Sequence, residues 1–140
     1  MTLARTILII TGLVWIGYGG WLFVNPEGFA YTGFGLDHWS AIVEVKAMYG
    51  AAEFMLGVFA LMGVWKPERY MHSALLVWFM IFVGLIIGRI IGIAQYGGDW
   101  WLEFGADGLP EAYNPGALWF YEVPSAILSG VALWKTKDVV

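Results

Sequence analysis

Five ionisable side chains fall inside apolar stretches where a charge is expensive: Glu44, Lys46, Glu53, Arg89 and Glu122. A charge facing hydrocarbon costs at least roughly 2.5–3.5 kcal/mol at a helix centre, so such residues face a bundle interior or a water-filled cavity and mark function. At about 100° per residue, Lys46, Tyr49, Gly50, Glu53 and Gly57 lie on one helix face, within roughly 60° of Lys46, and that face should point inward. Glu44 falls nearly opposite. The chemistry open to this set is acid–base and electrostatic: Glu53 or Glu122 would give or take a proton while Arg89 or Lys46 stabilises developing charge. Three carboxyls against two cations leave one negative charge without a partner in low dielectric, so one proton is expected to stay, on the deepest of them, Glu53.

The elements that position these residues follow from composition. Of the 140 residues 60% are hydrophobic and only 13% charged, against about 25% charged in a soluble domain. Too few polar residues remain to cover a soluble exterior. Nine Trp and nineteen Gly fit a bilayer, where Trp anchors interfaces and Gly lets helices approach. The expected fold is all-α: a single domain over residues 1–140, an integral membrane bundle of four transmembrane helices. The spans are expected at about residues 3–24, 40–65, 71–96 and 116–134, each near the length needed to cross a core of ~30 Å. The first span is too long for a signal-peptide core and reads as a retained helix. Asn25-Pro26 ends it. Ser40 is the expected N-cap of the second span, and Lys66-Pro67-Glu68-Arg69 the turn into the third. A long loop, Gly97 to Pro115, carries Asp99, Glu103, Asp107, Glu111 and paired tryptophans.

Depth within the spans ties the chemistry to the architecture. With a rise of about 1.5 Å per residue, Lys46, Arg89, Glu122 and Tyr18 each lie roughly 10 Å from the outer ends of their spans, and Glu53 about 20 Å. All four helices thus offer a polar group to the outer half of one bundle. Trp78, Phe82, Arg89, Ile93 and Tyr96 share a face of the third span, with Gly84, Gly88 and Gly92 as an adjacent stripe. Pro124 should distort the fourth span near Phe120.

The loops give an orientation. Arg5, Lys66, Arg69, Lys135 and Lys137 lie on one side; the other carries Glu27, Asp37, Asp99, Glu103, Asp107 and Glu111 and no Lys or Arg. The positive-inside rule then puts both termini in the cytoplasm. Tyr18-Gly19-Gly20-Trp21-Leu22 and Tyr96-Gly97-Gly98-Asp99-Trp100, each followed by an Asn-Pro, fit a duplicated hairpin, and equally fit chance in so Gly- and Trp-rich a chain.

Plainer roles compete for the same residues. Buried ion pairs also fix helix register, and Glu44 suits a dipole-stabilised helix end. The Gly84, Gly88 and Gly92 series favours close helix packing, within the chain or in an oligomer. His38 and His72 are too separated to form a metal site. Ser125 and Ser129 are expected to bond back to their own helix. The absence of cysteine excludes disulfide, thiolate and Fe–S chemistry. No cofactor is implied, and without a basic patch interleaved with aromatics nucleic-acid binding is excluded.

The order Pro26, Gly35-Leu36, Glu44-x-Lys46-Ala47-x-Tyr49-Gly50, Gly57, Gly84-x3-Gly88-Arg89 and a last-helix Glu122 resembles the "domain of unknown function 4345" family. Those are small, mostly bacterial, four-helix membrane proteins, and the likeness covers nearly the whole chain. It implies the four-helix fold, a bacterial inner (plasma) membrane location, and a role for Glu44, Lys46, Tyr49, Arg89 and Glu122. It implies no activity. Lys46 stands where the family pattern usually has Arg, and Lys cannot form the two-pronged carboxylate fork.

Three functions remain open. The first is binding or passage of a small polar or amphipathic ligand, or a proton, in a buried charged pocket. Glu44, Lys46, Tyr49, Glu53, Arg89, Glu122 and Tyr18 would line it. The second is an acid–base enzyme, an isomerase, cyclase or hydrolase on a lipid-soluble substrate, with Glu53, Glu122 and Arg89 as catalytic candidates. The third is an accessory subunit of a homo-oligomer or larger membrane complex. The first is preferred, because paired charges at one depth make a pocket yet show no nucleophile–base–orienter set.

Overall fold

The computed structural model describes residues 2–32, 35–96 and 115–136. These form four helices. Helix α1 is Thr2–Val24, α2 is Trp39–Trp65 and α3 is Pro67–Tyr96; α4 runs through a wide turn, Leu118–Glu122, into Val123–Thr136. Three of them, α1, α2 and α3, are long and apolar enough to cross a membrane. The long acidic loop, including the second half of the suspected repeat, lies outside the described residues, as does Lys137.

Each boundary has a local cause. Asn25-Pro26 stops α1, and the Asn25 N–H closes the last turn on the Trp21 carbonyl at 2.8 Å. The chain then makes a 3-10 turn, Pro26–Thr32. The N-cap of α2 is His38 and not Ser40: His38 Nδ1 accepts from the Ser40 N–H at 3.2 Å and lies 2.7 Å from its Oγ. The turn into α3 is also tighter than expected. Only Lys66 stands between the helices; its N–H bonds Met62 O at 2.9 Å and its carbonyl accepts from Arg69 and Tyr70 at 3.1 and 3.0 Å. Pro67 therefore opens α3, where a missing N–H costs nothing, four residues before the expected start.

Two compact units result, Met1–Ala74 and Leu75–Val139. In the first, α1 and α2 are antiparallel and meet at glycines. A Cβ at Gly19 would stand 2.5 Å from Phe54 N and 2.7 Å from Gly50 O, and one at Gly57 2.7 Å from Ile16 N and 2.8 Å from Gly12 O. Backbone therefore touches backbone at two points, Gly12 with Gly57 and Gly19 with Gly50. Gly50 and Gly57 belong to the face expected to point inward, and both are buried. Beyond this seam Leu22, Phe29 and Val45 form a small core, flanked by Tyr18, Leu36 and Tyr49.

In the second unit Trp78, Phe82 and Ile93 are buried along one stripe of α3, as their spacing requires. Phe82 joins Trp78 at 5.5 Å and meets Tyr121 of α4 edge-on, also at 5.5 Å. Such pairs contribute about 0.5–1.5 kcal/mol beyond burial. Gly130 lets Phe79 approach to 3.2 Å of where a Cβ would sit. Around Gly84, Gly88 and Gly92, by contrast, a Cβ would meet nothing within 4 Å among the described residues.

Candidate functional site

In the second unit, α3 and α4 bring Arg89 and Glu122 together. Arg89 Nε donates to both carboxylate oxygens at 2.8 Å, and Nη2 stands 2.7 Å from Oε1. Glu122 is 3% exposed and the Arg89 side chain 31%, so the acid is enclosed while its partner is partly open. Sequence depth allows Arg89 either Glu122 or Glu53 as partner and favours Glu122, at its own level; Glu122 is the one it meets.

Pro124 shapes the acid's position. Without an N–H it cannot bond the Phe120 carbonyl, and the helix widens there: the Val123 N–H reaches back to Leu118 O instead. Glu122 closes that π turn, with Tyr121 against Phe82 on one side of it. Ser129, two turns further along α4, is fully buried, and its Oγ has no hydrogen-bond partner among the described residues. It does not bond back to its own helix as expected; Thr136 does, to Ala132 O at 2.9 Å.

A second group of candidates lies in the first unit, on a second π segment, Val45–Ala52. Wide turns of this kind occur often at functional sites. Lys46 is half-buried, with Nζ 5.6 Å from the centre of the Phe23 ring, a cation–π contact. It makes no ion pair with Glu44 or Glu53 among the described residues. Tyr49 stacks on Phe29 at 4.2 Å, and Tyr18 meets Trp21 at 6.2 Å. Glu53 follows the wide segment directly; its Oε2 is buried and has no hydrogen-bond partner among the described residues. Glu44 is exposed.

The expected set thus separates into different chemistries. Glu122 is a charge acceptor locked to a guanidinium, a stabilising and orienting element. Glu53 carries an oxygen with no donor, the condition for a carboxyl that holds or passes a proton. Lys46 is a cation placed against a ring. Sequence reasoning did not find Phe23 beneath Lys46, Phe29 on Tyr49, or Tyr121 beside Glu122. Aromatic residues are so frequent here that none stands out by type. Among the described residues no three His, Asp or Glu side chains gather as a metal set.

In comparison with known proteins the chain matches the family described as "Domain of unknown function (DUF4345)" over residues 3–107. No curated protein and no solved structure matches the chain.

Proposed function

The chain belongs to the DUF4345 family, and from that premise we propose an integral membrane protein that binds or passes a small polar or amphipathic ligand, or a proton, in the outer half of its helices. On this reading residues 1–140 form one four-helix domain of the bacterial inner membrane, with α4 as the fourth span and both termini cytoplasmic. The Arg89–Glu122 pair carries the proposal. An enclosed carboxylate holds the guanidinium by Nε and Nη2, and the Arg89 side chain is still 31% exposed. The acid fixes the orientation of the guanidinium, and a cation held in this way attracts a carboxylate or phosphate group of the ligand.

Retention of a ligand tests it. The full-length protein, purified in mild detergent, should carry a small molecule detectable by mass spectrometry of the extracted sample. Arg89→Lys, which keeps the charge and loses the fork, should retain it at least tenfold less, on the order of the 1.5–3 kcal/mol of a charge-assisted bond. Equal retention by both proteins overturns the assignment.

The acid–base enzyme is the second reading, supported by the buried, unpartnered Oε2 of Glu53. In it Glu53 exchanges a proton with a lipid-soluble substrate. The accessory-subunit reading draws on the glycines of α3, which nothing covers among the described residues.

A further inference from the structure

The corner between α2 and α3 gathers cations that no carboxylate holds. Lys66 and Arg69 are exposed, and neither forms an ion pair with Glu68 or another carboxylate among the described residues. Each lies over an aromatic ring instead. Lys66 Nζ is 5.0 Å from the centre of the Trp65 ring, and the Arg69 guanidinium carbon 5.1 Å from that of Tyr70. A ring face orients a cation by its quadrupole and takes up none of its N–H donors in conventional hydrogen bonds.

The corner is also stiff. Lys66 is bonded through its N–H to α2 and through its carbonyl to the first turn of α3. Tyr70 meets Phe59 of α2 edge-on at 6.4 Å, and a Cβ at Gly63 would stand 2.9 Å from that of Ala74, so the two helices close tightly beneath it. Arg5 comes level with Val64, because α1 and α2 run antiparallel with Gly12 on Gly57 and Gly19 on Gly50. Among the described residues three cations therefore share this end of the unit with one carboxylate, Glu68. Trp65, 77% exposed, places an indole in the open at the same level, as membrane-interface tryptophans do.

We propose that this corner binds the phosphate headgroup of an anionic phospholipid of the cytoplasmic leaflet. Arg69 grips the phosphate oxygens with its fork, Lys66 adds a point charge, and Arg5 completes the field. Trp65 and Tyr70 pack beside the glycerol region with their polar edges toward water. The assignment rests on the membrane reading and its orientation, which face Lys66 and Arg69 toward the cytoplasm. Each basic residue close to an anionic surface gives about a fivefold preference, so Lys66 and Arg69 together give one on the order of twentyfold.

The test is competition between two lipids on the full-length protein in neutral detergent, read by native mass spectrometry. Phosphatidylglycerol and phosphatidylcholine with identical chains are supplied in equal amounts. Phosphatidylglycerol should be retained in preference, by a factor on the order of twenty, and excess inorganic phosphate should not displace it. The double variant Lys66→Gln/Arg69→Gln should lose most of the preference, Arg5→Gln a smaller part, and Lys66→Arg/Arg69→Lys should keep it. Near-ultraviolet circular dichroism verifies that each variant is folded. Equal retention of the two lipids by the unmodified protein, an unchanged preference in the double glutamine variant, or displacement by inorganic phosphate overturns the proposal. Alkaline extraction of the source membranes separates the two failures. A protein released by alkali refutes the membrane reading itself. One that stays in the bilayer yet shows no lipid preference refutes only this site.

Discussion

At the scale of single residues, the chain treats its buried acids in opposite ways. Glu122 is bound by Arg89 through both oxygens, so deleting the cation strands a carboxylate that is 3% exposed. Arg89→Met should cost about 3 kcal/mol or more of stability, whereas Arg89→Met with Glu122→Met should cost much less, since the charges leave together. Denaturation of the three proteins in one detergent measures this; a double variant no better than the single refutes a stabilising pair. Glu53 has no such partner for Oε2 among the described residues. Carbodiimide, which prefers protonated carboxyls in apolar surroundings, should label Glu53 near neutral pH in membranes, and a bound ligand should protect it. Labelling confined to Glu122 would be the contrary result. Of this residue-level picture the Arg89–Glu122 pair was legible, because depth along two helices is simple arithmetic. The ring beneath Lys46 was not, because which of several aromatics meets a cation depends on how far α1 and α2 slide past each other.

At the scale of elements, glycines divide into those that are used and those that are open. Gly19→Ala drives a methyl into the backbone at Phe54 and Gly50; helices must part, at about 1–3 kcal/mol. Gly84→Ala meets nothing within 4 Å among the described residues and should be neutral or stabilise α3 by up to about 1 kcal/mol, the ordinary helix preference. Thermal unfolding of the two variants should therefore shift in opposite directions or by very different amounts. A strong loss of stability at Gly84→Ala would mean that a helix covers that stripe. Of the α2 face that its period points inward, Gly50 and Gly57 are buried, while Lys46, Tyr49 and Glu53 are half-buried. One of the two wide turns was signalled, by Pro124, while Val45–Ala52 contains no proline and gave no sign. The start of α3 was misplaced because Lys-Pro-Glu-Arg looks like a loop by composition, though proline in a first turn is equally a helix opening. His38 displaced Ser40 as the cap of α2 because an imidazole nitrogen accepts an N–H as well as a hydroxyl does.

At the scale of the whole molecule, the all-helical class followed directly from too few polar side chains to clothe a soluble surface. The proposed orientation rests on five basic residues on one side and none on the other. Because the chain has no cysteine, single cysteines at Asp107 and Thr136 can be labelled without background. The first should react only from outside the cell membrane and the second only from the cytoplasm. Labelling of both from one side would end the four-span proposal.

The glycine seam between α1 and α2 also bears on how such a chain is made. On the proposed membrane reading α1, made before α2 and holding no charge beyond Arg5, would settle in lipid alone. α2 follows with Glu44, Lys46 and Glu53, each a penalty to a solitary helix partitioning from the translocon. A partner that fits it backbone to backbone, already waiting at the exit, gives those side chains company at the moment of entry. On the proposed membrane reading the hairpin, not the single helix, would be the unit of insertion, with the seam already in use during synthesis.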